Sequence, residues 1–282
     1  MNYLKSFSQA AAGSFYIPKR DDFPLTKDKL NKWYSNLLRE ASLNNYPEWA
    51  SGLLQDNKNY YGKYIDPGTR QFFLNHFARN LAETMAFLIG RSDADYKILE
   101  IGSGCGNQLV LMALSGAEVI GCDVRQDVCD LVEKRKKLYE EISGRKLNIS
   151  LVREDVFKVN WEQFGKFDAI NFLFSFNNLK PNEKMLQLVE VLLKPGGRVV
   201  FQETNTSNYY NRIFRKRDAM TPRQVAEALR KVNFIIHSLK GGYAVPPVFW
   251  RILPGNMLAH IDQVLCKSLF MSPSYHLMAE KI

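Results

Sequence analysis

Lys97-Ile-Leu-Glu-Ile-Gly-Ser-Gly-Cys-Gly-Asn107 reads as a short buried strand that runs into a glycine turn and then a helix. Gly102, Gly104 and Gly106 give a G-x-G-x-G spacing, with Glu100 two residues ahead of the first. Glycine at the end of a strand lets the backbone turn tightly and come close to a ligand. Downstream, Glu118-Val-Ile-Gly-Cys-Asp123 reads as a second apolar strand ending in an acid, 21 residues after Gly102. An acid in that place holds both hydroxyls of a ribose. The two stretches together point to a site for a nucleoside-bearing cofactor.

Spacing narrows the choice. Dinucleotide sites favour G-x-G-x-x-G, with the pyrophosphate on the helix N-terminus. Here the third glycine comes one residue early and Asn107 follows it. The E-x-G-x-G-x-G form resembles motif I of class I S-adenosylmethionine-dependent methyltransferases, of the small-molecule type. That cofactor has no phosphate to cradle. The resemblance implies that Glu100, Gly102, Gly104, Gly106 and Asn107 pass under the methionine moiety. It implies that Asp123, with Val124 beside it, binds the ribose. It further implies that Asp155 and Val156, after strand three, meet the adenine, and that Phe172 in Phe167-Asp-Ala-Ile-Asn-Phe172 lies along the cofactor. Asp168 reads as a structural hydrogen-bond partner at the strand start. Leu192-Leu-Lys-Pro-Gly-Gly-Arg-Val-Val200 resembles the phrase before strand five in these enzymes. The likeness is strong over residues 97–203, weaker over 204–282, and not found in 1–90.

The flanking sequence alternates in period. Leu25–Ala41 and Gln71–Ile89 carry apolar stripes at helical spacing, separated by turn-rich sequence. From 97 onward strands and helices alternate. Strands are expected at Lys97–Ile101, Glu118–Asp123, Asn148–Arg153, Phe167–Phe174 and Arg198–Glu203, with helices at about Asn107–Ser115, Gln126–Ser143 and Lys180–Leu193. Lys194-Pro-Gly-Gly197 reads as a helix-stop turn. Thr221-Pro222 starts a helix to about Lys231. Asn233–Leu239 and Tyr275–Lys281 are the last strands. Such alternation implies an α/β, doubly wound, Rossmann-like sheet. By the resemblance it has seven strands, six parallel and the last antiparallel. The expected organisation is an N-terminal helical cap or lid over 1–92 and a methyltransferase core over 93–282. Residues 241–274 form an insertion between the last two strands. Within it, Met257, Leu258, Ile261, Val264, Leu265 and Leu269 fall on one face of a helix over Asn256–Phe270. That face suits a lid on its own sheet, a lip over an apolar substrate, or a peripheral membrane contact.

Composition excludes several classes. The 282 residues are 46% hydrophobic and 24% charged, as in ordinary globular proteins. No apolar run is long enough to span a bilayer, and the start lacks the apolar core of a signal peptide. Cys105, Cys122, Cys129 and Cys266 show no C-x-x-C spacing and read as reduced, in a cytoplasmic setting, with no metal site. The net charge of +9 is uneven: +3 over residues 1–90, −1 over 91–203 and +7 over 204–282. A basic C-terminal third attracts nucleic acid, anionic head groups or an anionic substrate, or it is simply a solvated surface.

The implied reaction is in-line transfer of a sulfonium methyl group to oxygen or nitrogen of a small-molecule acceptor, leaving S-adenosylhomocysteine. The family has no invariant catalytic residue. Tyr64, Asn177, Glu203 and His237 are the rim candidates, and Tyr60 and Tyr61 are aromatic residues that could stack on substrate. DNA amino-methyltransferases carry an N-P-P-Y-like motif after strand four and C5-cytosine enzymes a Pro-Cys, whereas this chain has Asn171-Phe-Leu-Phe-Ser-Phe-Asn-Asn178. An RNA or other nucleic-acid methyltransferase using the basic lobe is the alternative, together with a non-catalytic cofactor-binding protein. Neither the acceptor nor the oligomeric state is written in the sequence.

Overall fold

The computed structural model describes residues 14–23, 25–42, 64, 66–90, 96–215, 218–245, 249–250 and 254–282. Tyr60, Tyr61, the link at 91–95 and Arg217 lie outside the described residues, as does part of the 241–274 insertion.

Seven strands form one sheet: β1 (Lys97–Ile101), β2 (Glu118–Cys122), β3 (Ile149–Val152), β4 (Phe167–Leu173), β5 (Leu193–Thr204), β6 (Phe234–Gly241) and β7 (Ser274–Lys281). Their order is β3-β2-β1-β4-β5-β7-β6. β7 runs antiparallel to both β5 and β6, and the remaining pairings are parallel. β1 lies between β2 and β4, with Glu100 in register with Gly121 on one side and Asn171 on the other. The strand order reverses at β1. In open α/β sheets that switch point opens a crevice outside the carboxyl ends of the strands, and ligands bind there.

The helices are α1 (Lys27–Ser42), α2 (Pro67–Ile89), α3 (Asn107–Leu114), α4 (Gln126–Ser143), α5 (Asn182–Leu192), α6 (Pro222–Lys231) and α7 (Gly255–Leu265). α3 is buried from Gln108 to Leu114. A helix apolar all round needs a layer on each side. The sheet supplies one, and Leu30 and Trp33 of α1 and Phe73 and Phe77 of α2 share one core with Leu109–Leu114 and Ile98, α2 itself lying on the same face of the sheet against β4, β5 and β7. Burial of each such side chain stabilises by about 1.5–3 kcal/mol. On the opposite face α5 and α6 cover Leu99, Phe172, Phe201 and Leu277.

Three expected boundaries move by four residues or more. α2 begins at Pro67, because Asp66 caps it by accepting from Gly68 N at 2.9 Å and Pro67 takes the first turn. The expected stop turn is instead the first part of β5. Leu193 already pairs with Phe167, and the register then shifts before Ala169, with Gly196 at φ +72°. α7 ends at Leu265, and its apolar face is split. Leu258 is buried, whereas Met257 and Val264 are exposed. The side turned inward also carries Asp262, wholly buried against α2.

Candidate cofactor site

The glycine turn is left-handed at each of its glycines, with φ +72° at Gly102, +48° at Gly104 and +69° at Gly106. An L side chain there costs about 1–2 kcal/mol. The surroundings differ. A Cβ on Gly102 would sit 2.4 Å from Ser175 Cβ, and one on Gly106 would sit 2.7 Å from Val132 Cγ2. A Cβ on Gly104 would meet nothing within 4 Å. The outer glycines therefore let the loop after β4 and helix α4 press against the turn, while Gly104 faces open space.

β2 closes the turn from the other side. Gly102 N and Ser103 N both donate to Cys122 O, at 2.8 and 3.3 Å. Asp123 follows at once. Its Oδ2 accepts from Gly104 N at 3.0 Å and its Oδ1 from Arg125 N at 3.0 Å. The carboxylate is thus fixed at the lip of the turn, half-buried, with lone pairs remaining for hydroxyl donors.

Beneath the turn lies a buried polar triad. Asn171 Nδ2 donates to Glu100 Oε1 at 3.1 Å and to Gln108 Oε1 at 2.6 Å. Burial pushes the Glu100 carboxyl up to about 8. Glu100 Oε2 and Asn107 Oδ1 are buried with no protein donor. Two orphaned acceptors and an open glycine are what a compact cationic amino-acid end, such as the methionine moiety of S-adenosylmethionine, requires. The turn after β3 carries the residues expected at the adenine. Asp155 Oδ1 accepts from Phe157 N at 3.0 Å, Val156 is buried behind it, and Val124 is exposed beside Asp123.

Phe172 is a correction. Its ring is fully buried in the core, stacked on Phe201 at 4.8 Å and edge-on to Phe176. Phe174 ends the strand instead at φ +53°, its ring partly exposed at the rim. Neither Ser175, whose Oγ donates to Ile101 O at 2.5 Å, nor Asn171 and Gln108 were singled out from sequence. Asn171 had a legible signal, a polar residue inside an apolar strand.

The four rim candidates are not brought together. Tyr64 is buried among Tyr34 and Phe73, its hydroxyl bonded to Asn31 Oδ1 at 2.7 Å. His237 sits on edge strand β6, with Nε2 3.4 Å from Glu280 Oε2, at the far side of the sheet from β1. Asn177 and Glu203 do lie at the carboxyl ends of β4 and β5, and both are buried. Asn177 Nδ2 donates to Thr204 O at 2.9 Å, while Glu203 Oε1 accepts from Phe176 N at 2.6 Å. Burial raises the Glu203 carboxyl to about 8. Asp168 does play the expected structural part, accepting from Lys97 N at 2.8 Å and pairing with Lys194. Among the described residues no group of three or more His, Cys, Asp or Glu side chains could hold a metal ion.

Comparison with known proteins bears on the same elements. Residues 73–239 match the methyltransferase domain family, so the match begins inside α2, ahead of the motif. The demethylmenaquinone methyltransferase of Tropheryma whipplei (strain Twist) is 30% identical over 110 residues, 39% of this chain and 42% of that protein. The ubiquinone biosynthesis O-methyltransferase of Acinetobacter baylyi is 26% identical over 112 residues, 40% of this chain and 45% of that protein. The chain thus spans under half the length of these curated relatives. Magnesium protoporphyrin IX methyltransferase from Synechocystis, solved with bound S-adenosylhomocysteine, superposes with a TM-score of 0.53 at 13% identity, over 83% of this chain and 100% of that one. At that identity the likeness shows the fold. The family match spans more than half of the chain and covers the switch point where the glycine turn sits: the chain belongs to the methyltransferase domain family, as a class I, S-adenosylmethionine-dependent member.

Proposed function

We propose that this chain methylates a small-molecule acceptor on oxygen or nitrogen, with S-adenosylmethionine as donor. The observation that carries this reading is the open space over Gly104, flanked by Asp123 and the orphaned acceptors Glu100 Oε2 and Asn107 Oδ1. S-adenosylmethionine supplies the electrophilic methyl group. The chain's own residues bind, orient and exclude water. Asp123 takes the ribose hydroxyls, the glycine turn and Glu100 hold the amino-acid end, and Asp155 meets the adenine.

α1 and α2 share an apolar core with α3, the helix that follows the glycine turn, which supports a helical cap beside the site. The curated relatives named above are, by their names, a demethylmenaquinone methyltransferase and an O-methyltransferase of ubiquinone biosynthesis. Phe174, Tyr209, Tyr210 and Phe270 are partly exposed around the ends of β4 and β5, which suits an acceptor with an apolar portion. Tyr209 and Phe270 stand 5.8 Å apart by ring centroids. Asn177 and Glu203 act here as organisers of the loop after β4. Catalysis then rests on alignment at a near-attack distance of about 3–3.5 Å. A free amine needs no base, whereas a hydroxyl brings that requirement with it.

The test is methyl transfer from labelled S-adenosylmethionine to a panel of small amines, phenols and carboxylates, with tRNA and DNA in parallel. Product on a small acceptor supports the reading. Label entering tRNA or DNA with none in the small-molecule panel overturns it in favour of a nucleic-acid enzyme.

A further inference from the structure

One buried ion pair joins α1 to the glycine turn. Glu40, in the last turn of α1, is fully buried and takes two bonds from Arg135 of α4, Nε to Oε2 at 2.7 Å and Nη2 to Oε1 at 3.0 Å. Tyr139, one turn further along α4, donates its hydroxyl to Glu40 Oε1 at 2.6 Å. The remaining guanidinium nitrogen, Nη1, donates to the carbonyl oxygen of Cys105. Cys105 lies between Gly104 and Gly106, two of the three positions whose left-handed backbone shapes the turn.

A charged pair this deep is a poor way to glue helices. Desolvation of both ions largely offsets their attraction, and a well-packed apolar pair holds two helices as firmly. An apolar pair cannot do what the third nitrogen does, which is to fix the Cys105 carbonyl and with it the peptide planes on either side. Arg135 spans from α1 to the turn because the planar guanidinium offers several donors in fixed directions. Glu40 holds that plane with two bonds, so the direction of Nη1 depends on where α1 sits.

We propose that Arg135 is a positioning residue for the cofactor turn and that Glu40 sets it from α1, so that docking of α1 and occupancy of the turn are thermodynamically coupled. This rests on the glycine turn as the cofactor site and not on the identity of the acceptor. Coupling of this kind is reciprocal. Cofactor bound at the turn tightens α1 against α4, and a loosened α1 weakens cofactor binding although Glu40 does not border the open space over Gly104.

The experiment uses the full chain as wild type, Glu40→Gln, Arg135→Lys and the double variant, with Asp262→Asn as a control at a buried pair between α2 and α7. S-adenosylhomocysteine affinity is read by calorimetry. Hydrogen exchange is read over residues 100–109 and 27–42, with and without that ligand. Glu40→Gln and Arg135→Lys should each weaken binding by about tenfold, and the double variant should fall short of the product of the two. Exchange over 100–109 should quicken in both. In the wild type the ligand should slow exchange over 27–42. Asp262→Asn should lower the melting temperature yet keep the wild-type affinity. Wild-type affinity and turn exchange in Glu40→Gln overturn the coupling, and so does an equal loss in Asp262→Asn. If Arg135→Lys does not fold, the wild type still decides, because unchanged exchange over 27–42 at saturating ligand overturns it. A wild-type protein that binds no S-adenosylhomocysteine overturns the cofactor assignment together with the coupling.

Discussion

Glu100 shows how one residue carries both the architecture and the chemistry of the site. Its carboxyl is held near 8 by burial, so at pH 7 it is mostly protonated in the free protein. A cationic ammonium arriving beside Oε2 favours the charged form. Ligand binding at pH 7 should therefore release a proton. The check is calorimetric titration of S-adenosylhomocysteine in buffers of different ionisation enthalpy: the apparent heat should vary with the buffer in the wild type and lose most of that variation in Glu100→Gln. Asp123 works by a different route. Its oxygens are already oriented by Gly104 N and Arg125 N, so if the ribose binds there as proposed, removing the carboxylate strips its two hydroxyls of a preset acceptor. Asp123→Ala should weaken S-adenosylhomocysteine binding by about 1–3 kcal/mol. Unchanged affinity would show that the ribose lies elsewhere.

Elements fell into place where local pattern and tertiary packing agree. β1 and α4 keep the bounds expected from sequence, because an apolar run before a glycine turn and a charged helix with one apolar stripe need no distant partner to be read. α7 is the contrary case. Its period places Met257 and Val264 with Leu258, but Asp262 overrides that period. Asp262 Oδ1 accepts from Ala244 N at 2.7 Å and Val245 N at 2.6 Å, and Oδ2 lies 2.9 Å from His76 Nδ1. Burial alone would raise this carboxyl. The His76 ring and the two amides win and hold it below the usual carboxylate range. A partner some 186 positions away in the chain leaves no mark on helical spacing. Arg135 was illegible for a similar reason, as one cation in the run Lys134-Arg-Lys-Lys137, which reads as a solvated face. For Phe172 the strand's alternation gives its face but not its depth. Asp262→Ala should cost about 3–5 kcal/mol by leaving two buried amides without their acceptor and the His76 ring without its neighbouring carboxylate. Denaturant unfolding measures it, and a loss under 1 kcal/mol would show that the insertion stays on α2 by apolar packing alone.

At the scale of the whole molecule, pH and salt act through different groups. Glu100 and Glu203 are both held near 8, against an ordinary value of 4.5. Between about pH 4.5 and 8 the unfolded chain gives up protons that the fold retains, so these two groups make the ligand-free protein less stable as pH rises through that window. Their contribution is full below 4.5 and is lost above about 8. Glu203→Gln, which mimics the neutral acid, should flatten the fall in melting temperature from pH 5 to 8; an unaltered slope would mean that Glu203 is ionised in the fold.

Salt tests the placement of charge. Residues 204–282 carry a net charge of +7, and the described basic side chains among them fall at both ends of the sheet. α6 follows β5 and precedes β6, which is parallel to β5, so its N-terminus lies at the acceptor end and its C-terminus at the opposite end. Arg212 and Arg223 are therefore near the crevice, whereas Arg230 and Lys231 are far from it, and all four are exposed. If the acceptor is anionic, kcat/KM should fall as salt rises, because exposed charges are screened over about 8–10 Å near physiological ionic strength. Arg212→Glu with Arg223→Glu should then raise KM more than it lowers kcat, and should flatten the salt dependence. Arg230→Glu with Lys231→Glu changes net charge by the same amount at the wrong end and should do neither. Equal effects from the two pairs would show that only net charge matters. Salt-independent kcat/KM with both pairs silent would make the basic third a solvated surface, and the acceptor uncharged.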